Sequence, residues 1–445
     1  MKDFIHAISA CKAPILRLSI LLQFVLFFYE GALQAQAPQI LKDINGLMTN
    51  NSQVNTGYVY QGYNGFVYFS ADDGINGYEL WKTDGTEAGT VMVKDINPGL
   101  PASTPQFFIE MGGYLFFTAY SAGNITNREL WRTDGTEAGT IMVKDIYPGN
   151  SSSNPVNLVK MGNAIYFSAN NPTSGQELWK SDGTEAGTVL VKDIATGSGN
   201  GAPLNMKDIG GVLYFTAVTS TEGREFWKTD GTEAGTILLK DIYTGASNSN
   251  PGNITAVSSN IFFTATDAMN GTELWKTDGT EAGTVLVKDI RPGSTGSSMA
   301  NLIALNNKLV FTAWDGTTGT ELWISDGTDA GTLLADINAG TGSSSPSLLV
   351  AMGNMVYFSA NDGVNGSELW KTDGTVAGTV MVKDINTGTS GSNPGQLINI
   401  NGTLYFAATS AGIGQELWKT DGTELGTMLV KDINPGANNS THLLS

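Results

Sequence analysis

Glu79-Leu-Trp81-Lys-Thr-Asp84-Gly85-Thr86-Glu-Ala-Gly89-Thr90-Val-Met-Val-Lys94-Asp95-Ile96 decides the fold, because the stretch returns eight times. Its copies begin at Glu79, Glu129, Glu177, Glu225, Glu273, Glu321, Glu368 and Glu416, at spacings of 50, 48, 48, 48, 48, 47 and 48 residues. A fixed period of that size marks a repeat architecture in which each unit leans on its neighbours. One repeat domain therefore replaces the two or three domains that 445 residues would otherwise suggest.

Working outward from the motif, each period holds four strand-like pieces, clearest in the third copy. Val156 to Met161 (strand A) is short and apolar, and Ala164 to Ala169 (B) is aromatic and β-branched. Glu177 to Ser181 (C) and Thr188 to Ile194 (D) complete the unit. Gly162-Asn163 joins A to B as a tight hairpin, and Asp182 to Gly187 joins C to D as a longer one. No window carries a helical period. Four strands repeated every 48 residues or so predict an all-β chain, an eight-bladed β-propeller.

Antiparallel order puts the A–B and C–D turns on one rim and the B–C loops and D–A crossovers on the other. The first rim is nearly identical from copy to copy. The second varies in length and composition, from Asp72 to Gly77 to the crossover Tyr147 to Pro155. Loops on a rigid scaffold are where binding concentrates, so the variable rim is the expected site.

The chain's ends admit two readings. Gln39 to Ile44 reads as an extra D strand ahead of the first A, and Ser440 to Ser445 as the start of a ninth A. A closed ring sealed by these segments is the favoured reading, and an open piece of a longer repeat array is the alternative. Met1 to Ala37 reads as a secretory leader, with Lys2, Lys12 and Arg17 ahead of or within an apolar run to Phe28 and a cleavage site after Ala35; residues 38–445 are then the repeat domain. The apolar run is too short to span a bilayer. Export implies a secreted or cell-surface protein.

The net charge of −18 is mostly the module multiplied, since the eight copies hold 31 acids and 14 bases, or −17 of the total. No basic footprint for nucleic acid remains.

With Glu-Leu-Trp-x-x-Asp-Gly-Thr-x-x-Gly-Thr written out, the chain from about Gln39 to Ser445 resembles the bacterial ELWxxDGT repeat family, common in Bacteroidetes. Phe226 replaces one Leu, and Asp329 one of the Glu residues. The resemblance implies export and a repetitive β fold. It implies no defined activity.

Chemistry is narrowed by what is missing. Removal of the leader takes away Cys11 and His6, leaving no cysteine and only His442, so cysteine and serine–histidine nucleophiles and histidine-bound metals are excluded. Carboxylate chemistry of the glycosidase or lyase type survives as the alternative. Its candidate groups on the variable rim are Asp72, Asp73, Arg128, Glu222, Arg224, Asp267, Arg291, Asp315 and Asp362, scattered over six copies.

A tryptophan at one place in every copy (Trp81 and its equivalents) reads as blade-to-blade packing, its N–H finding a carbonyl. Asp84 and its equivalents read as Asx-turn caps, with calcium as the rival. Better calcium candidates are Asp72 with Asp73 and Asn361 with Asp362, where hard oxygen ligands adjoin.

Two aromatics break the repeat. Trp314 is the only tryptophan outside the module, and Tyr120 holds the corresponding place in the second copy. An aromatic face beside polar groups grips glycans by stacking and hydrogen bonds, so Trp314, Asp315, Tyr120, Arg128 and Arg224 are the expected binding residues. The function expected from the sequence is non-catalytic binding or adhesion, with an extracellular glycan or protein as partner. A purely structural surface array is the third reading.

Overall fold

The computed structural model describes residues 60–99, 101–121, 124–437, 439 and 440. The expected leader, the D-like segment Gln39 to Ile44 and His442 lie outside the described residues. The rest forms 32 strands in eight four-stranded antiparallel sheets, each ordered A-B-C-D along the chain. This is the eight-bladed β-propeller fold. No helix among the described residues is long and apolar enough to cross a membrane.

In the third repeat the strands are Val156–Met161, Ala164–Asn171, Gly175–Ser181 and Val189–Lys192. Strand D is shorter at both ends than the pattern Thr188 to Ile194 predicted. Thr188 is held by the turn, and Ile194 by a side chain described below.

Strands B and C are buried on both faces, which is why they read as continuous apolar runs rather than alternating ones. In the second repeat Leu115, Phe117, Ala119 and Trp131 pack in one cluster with Tyr63, Tyr68, Leu80 and Val93 of the first. The opposite face of that same sheet, with Phe116, Leu130 and Val143, meets Ile165, Phe167, Ala169 and Trp179 of the third. Each fully buried Phe or Leu contributes about 1.5–3 kcal/mol, so these layers hold consecutive blades together.

The chain falls into two compact units, one ending at Leu213 and including Thr229–Thr236, the other formed by Tyr214–Lys228 and Ile237 onward. The same layering recurs within the second unit, between repeats five and six and between seven and eight.

The repeated tryptophans sit in these layers, as expected, but their N–H groups do not find carbonyls. In all eight repeats the Nε1 is buried without a hydrogen-bond partner. Burial of the ring thus outweighs a desolvated N–H that costs about 1–3 kcal/mol.

The C–D turns are built as the sequence predicts. Asp134 Oδ1 accepts the Thr136 N–H at 2.8 Å and its hydroxyl at 2.7 Å, and Thr136 Oγ1 accepts the Gly139 N–H at 2.9 Å. The Thr136 hydroxyl and N–H hold Asp134 below the usual carboxylate range. Gly139 is obligatory, since a Cβ there would lie 2.0 Å from Asp134 Oδ1. Gly135, at φ +93°, takes the left-handed conformation.

The same turn is the anchor for the preceding blade. Lys82 Nζ donates to Gly135 O at 2.8 Å, and Lys94 Nζ to Thr140 O at 2.9 Å. In the sixth repeat Ile324 stands where Lys82 stands in the first, and Lys308 from strand B donates to Gly374 O at 2.7 Å instead.

Candidate functional site on the variable rim

The opposite rim is organised by a residue whose role the motif alone does not disclose, the glutamate that opens it. Glu79 is fully buried. Its carboxylate accepts the Ile96 N–H at 2.8 Å, the Ser103 N–H at 2.9 Å and the Ser103 hydroxyl at 2.6 Å. Ser103 in turn ties two blades together. Its carbonyl accepts the Tyr120 N–H of the second repeat at 2.8 Å, while the neighbouring Thr104 N–H donates to Tyr78 O of the first at 2.9 Å.

Equivalent carboxylates hold every crossover, and a serine answers the glutamate 24 residues on in most repeats. In the third repeat Gly201 takes the serine's place, and Ala195 N–H supplies an extra bond at 3.0 Å. Burial pushes Glu79, Glu129, Glu177 and Glu273 up to about 7, against the opposing effect of these donors. Buried and bonded this way, none of them is placed to meet a substrate.

The crossovers turn sharply. Thr104 and Phe107 adopt φ of 46° and 57°, and Asn154 with Asn157 and Asn250 with Asn253 repeat the pair. Asparagine tolerates this region best after glycine, which accounts for the Asn-rich crossover composition.

Upon this frame sit the expected binding residues. Arg128 lies opposite Tyr120 in the B–C ladder, its guanidinium 4.1 Å from the ring centre. Arg128 is only 6% exposed and donates to Thr118 Oγ1 at 3.0 Å and Thr104 O at 3.1 Å. Its charge thus braces the blade from within. Arg224 holds the same place in the fourth repeat and likewise donates to the strand-B threonine, Thr216 Oγ1 at 3.2 Å; burial lowers its pKa.

Trp314 is half-buried, and one ring face is taken by Arg291 at 4.0 Å. Asp315, next to it, caps its own loop by accepting the N–H groups of Thr317 at 2.7 Å and Thr318 at 2.8 Å. Burial alone would raise the Asp315 carboxyl, but these donors outweigh it and hold it low.

The calcium candidates are likewise turn caps. Asp73 accepts the Ile75 and Asn76 N–H groups and the Asn76 amide, at 2.8–2.9 Å. Asp362 does the same with Val364 and Asn365, at 2.7–2.9 Å. Asp72 and Asn361 accept the N–H of Gly74 and Gly363, at 2.7 and 2.8 Å. Among the described residues no three His, Cys, Asp or Glu side chains gather in one place.

Lys288 and Asp329 form an ion pair at 2.7 Å on the constant rim. Arg128 is held by threonine and backbone oxygens, and Arg291 donates to a backbone carbonyl.

No protein-family model matches this chain, and no curated protein does. Among solved structures it is similar to the computationally designed Ika8 protein, at 14% identity over 78% of this chain and 92% of that one, with a TM-score of 0.38. It is also similar to the β-propeller domain of the Trilobed protease from Pyrococcus furiosus, at 12% identity over 74% and 98%, TM-score 0.33. A third similarity is to oligopeptidase B from Leishmania major, at 11% identity and TM-score 0.37; it covers 75% of this chain and 49% of that one.

Proposed function

We propose that this protein is an exported, non-catalytic binding or adhesion module of the ELWxxDGT repeat type, taking an extracellular glycan or protein on its variable rim. One observation carries the reading. The motif's first glutamate, its turn aspartate and threonine, and its lysines are committed to the crossover, the turn and the next blade, whereas the side chains that differ between copies lie on the B–C loops and crossovers.

Trp314, the only tryptophan outside the module, is one place where that rim departs from it. The leader Met1 to Ala37 supports export, and the absence of a basic footprint argues against nucleic acid.

The test is a glycan array together with a polysaccharide degradation panel, run on the chain beginning at Gln36. Binding that is lost in Trp314→Thr, with no polymer cleaved, supports the reading. Cleavage that vanishes on neutralising a rim carboxylate such as Asp315 or Asp362 would replace it with a hydrolase or lyase.

A further inference from the structure

Resting on the rim reading, we infer that Arg291 and Trp314 together form a subsite for an anionic sugar, one bearing a carboxylate or a sulfate. At position 291 the scaffold needs only a short amide donor. In four sister repeats the equivalent residue is asparagine, and its amide donates to a carbonyl five residues on: Asn97 to Ala102 O at 3.4 Å, Asn338 to Ser343 O at 3.3 Å, Asn386 to Gly391 O at 2.8 Å and Asn434 to Asn439 O at 3.1 Å. Arg291 performs the same task with Nη1, which donates to Gly296 O at 3.3 Å.

An asparagine would suffice for that bond. The rest of the guanidinium, Nε and Nη2, has no hydrogen-bond partner and is not sealed from solvent.

Its neighbour is unusual in the same way. Trp314 occupies the strand-B position that holds Tyr120, Asn170, Thr266, Asn361 and Thr409 in other repeats, all paired across to strand C in the same register. The two departures belong to different repeats, yet the Arg291 guanidinium carbon lies over the Trp314 ring, 4.0 Å from its centre. The indole holds the guanidinium plane, and the B–C loop closes on its edge, since a Cβ on Gly316 would lie 3.4 Å from Arg291 Nε.

Charge decides the ligand class. The chain carries 42 acids against 24 bases, and Asp315 adjoins Trp314 in sequence, yet Arg291 forms no ion pair. Asp315 is turned to its own loop amides. A planar, pre-oriented fork with free donors matches the paired oxygens of a carboxylate or sulfate. A partly accessible indole at its side suits the apolar face of a sugar ring. Arg128 is the counterexample, stacked on Tyr120 but buried, with both Nη1 and Nη2 taken by threonine and backbone oxygens.

The experiment compares immobilised alginate, polygalacturonate, a sulfated galactan and neutral dextran by affinity electrophoresis and titration calorimetry. It uses the wild type, Arg291→Asn and Trp314→Thr, both replacements being residues that sister repeats carry at those places. Circular dichroism confirms that each variant folds.

The expected result is binding to at least one acidic polymer, weakened at least tenfold in R291N and by raised salt, with dextran ignored. The preferred polymer separates carboxylate from sulfate. A neutral ligand lost in W314T but kept in R291N would overturn the anionic subsite and leave the rim reading intact. Acidic binding unchanged in R291N overturns the subsite as well. Failure to bind any polymer, acidic or neutral, overturns the subsite and removes the glycan half of the rim reading.

Discussion

The two rims of this protein are made from the same kinds of residue, yet they differ in what those residues are free to do. On the constant rim Asp134, Thr136, Gly139 and Thr140 satisfy one another within a single turn, and lysines of the preceding blade fasten to the carbonyls left over. On the variable rim the fully buried glutamates supply that closure from below, and the loops above them are left to differ. The contrast teaches that repetition in this sequence reports mechanical duty.

The largest effect should come from breaking the hidden support of the variable rim. Glu129→Ala strands the buried Ile146 and Ser153 N–H groups, so it should cost about 3 kcal/mol or more, read as a lowered urea midpoint. If it costs no more than an exposed substitution, the crossover is not held as described.

Next in size is the constant rim, where Gly139→Ala drives a methyl into Asp134. Its expected cost is about 2 kcal/mol, and the turn's hydrogen exchange should accelerate.

Acidity separates the rims further. The glutamates of repeats one, two, three and five sit near 7 against an ordinary value of 4.5, so the folded state holds more protons between those values. Their contribution is fully present below pH 4.5 and is lost as pH rises through 7. The turn aspartates are held low, so theirs is present above an ordinary value of 3.8 and lost as the medium becomes more acid than that. Denaturation midpoints should therefore be higher at pH 5 than at pH 7.5, and Glu129→Gln should flatten part of that slope. A midpoint that rises toward pH 7.5 would contradict the assignment.

The smallest effect is a gain. Thr104→Asn places at φ 46° the residue that Asn154, Asn250 and Asn393 already provide, and it should stabilise by about 0.5 kcal/mol in thermal melts.

Much of the fold was legible because eight copies average out local ambiguity. The four strands of the third repeat fall within two residues of their predicted ends, and the Asp-Gly-Thr turns form the bonds their side chains suggest. What escaped depends on distance along the chain. Glu79 finds its partners 17 and 24 residues later, so a local reading sees only one more module acid, although the matching serine at a constant interval was there to be noticed.

Arg128 and Trp314 were picked out for their residue type, but type does not reveal burial. Only the register that sets Arg128 beneath Tyr120, and the crossover that lays Arg291 on Trp314, show that the first is enclosed and the second remains within reach.

The lysine exchange of the sixth repeat carries a warning for protein engineers. Consensus design would restore the majority residue by Ile324→Lys, a change that ordinarily stabilises repeat proteins. Here Ile324 is buried beside Val310 and Leu322, and Lys308 already occupies the carbonyl of Gly374. The restored ammonium would have to leave an apolar layer to contest an acceptor already taken. The average sequence is therefore expected to be the worse one at this position, with a lower melting temperature than the natural chain.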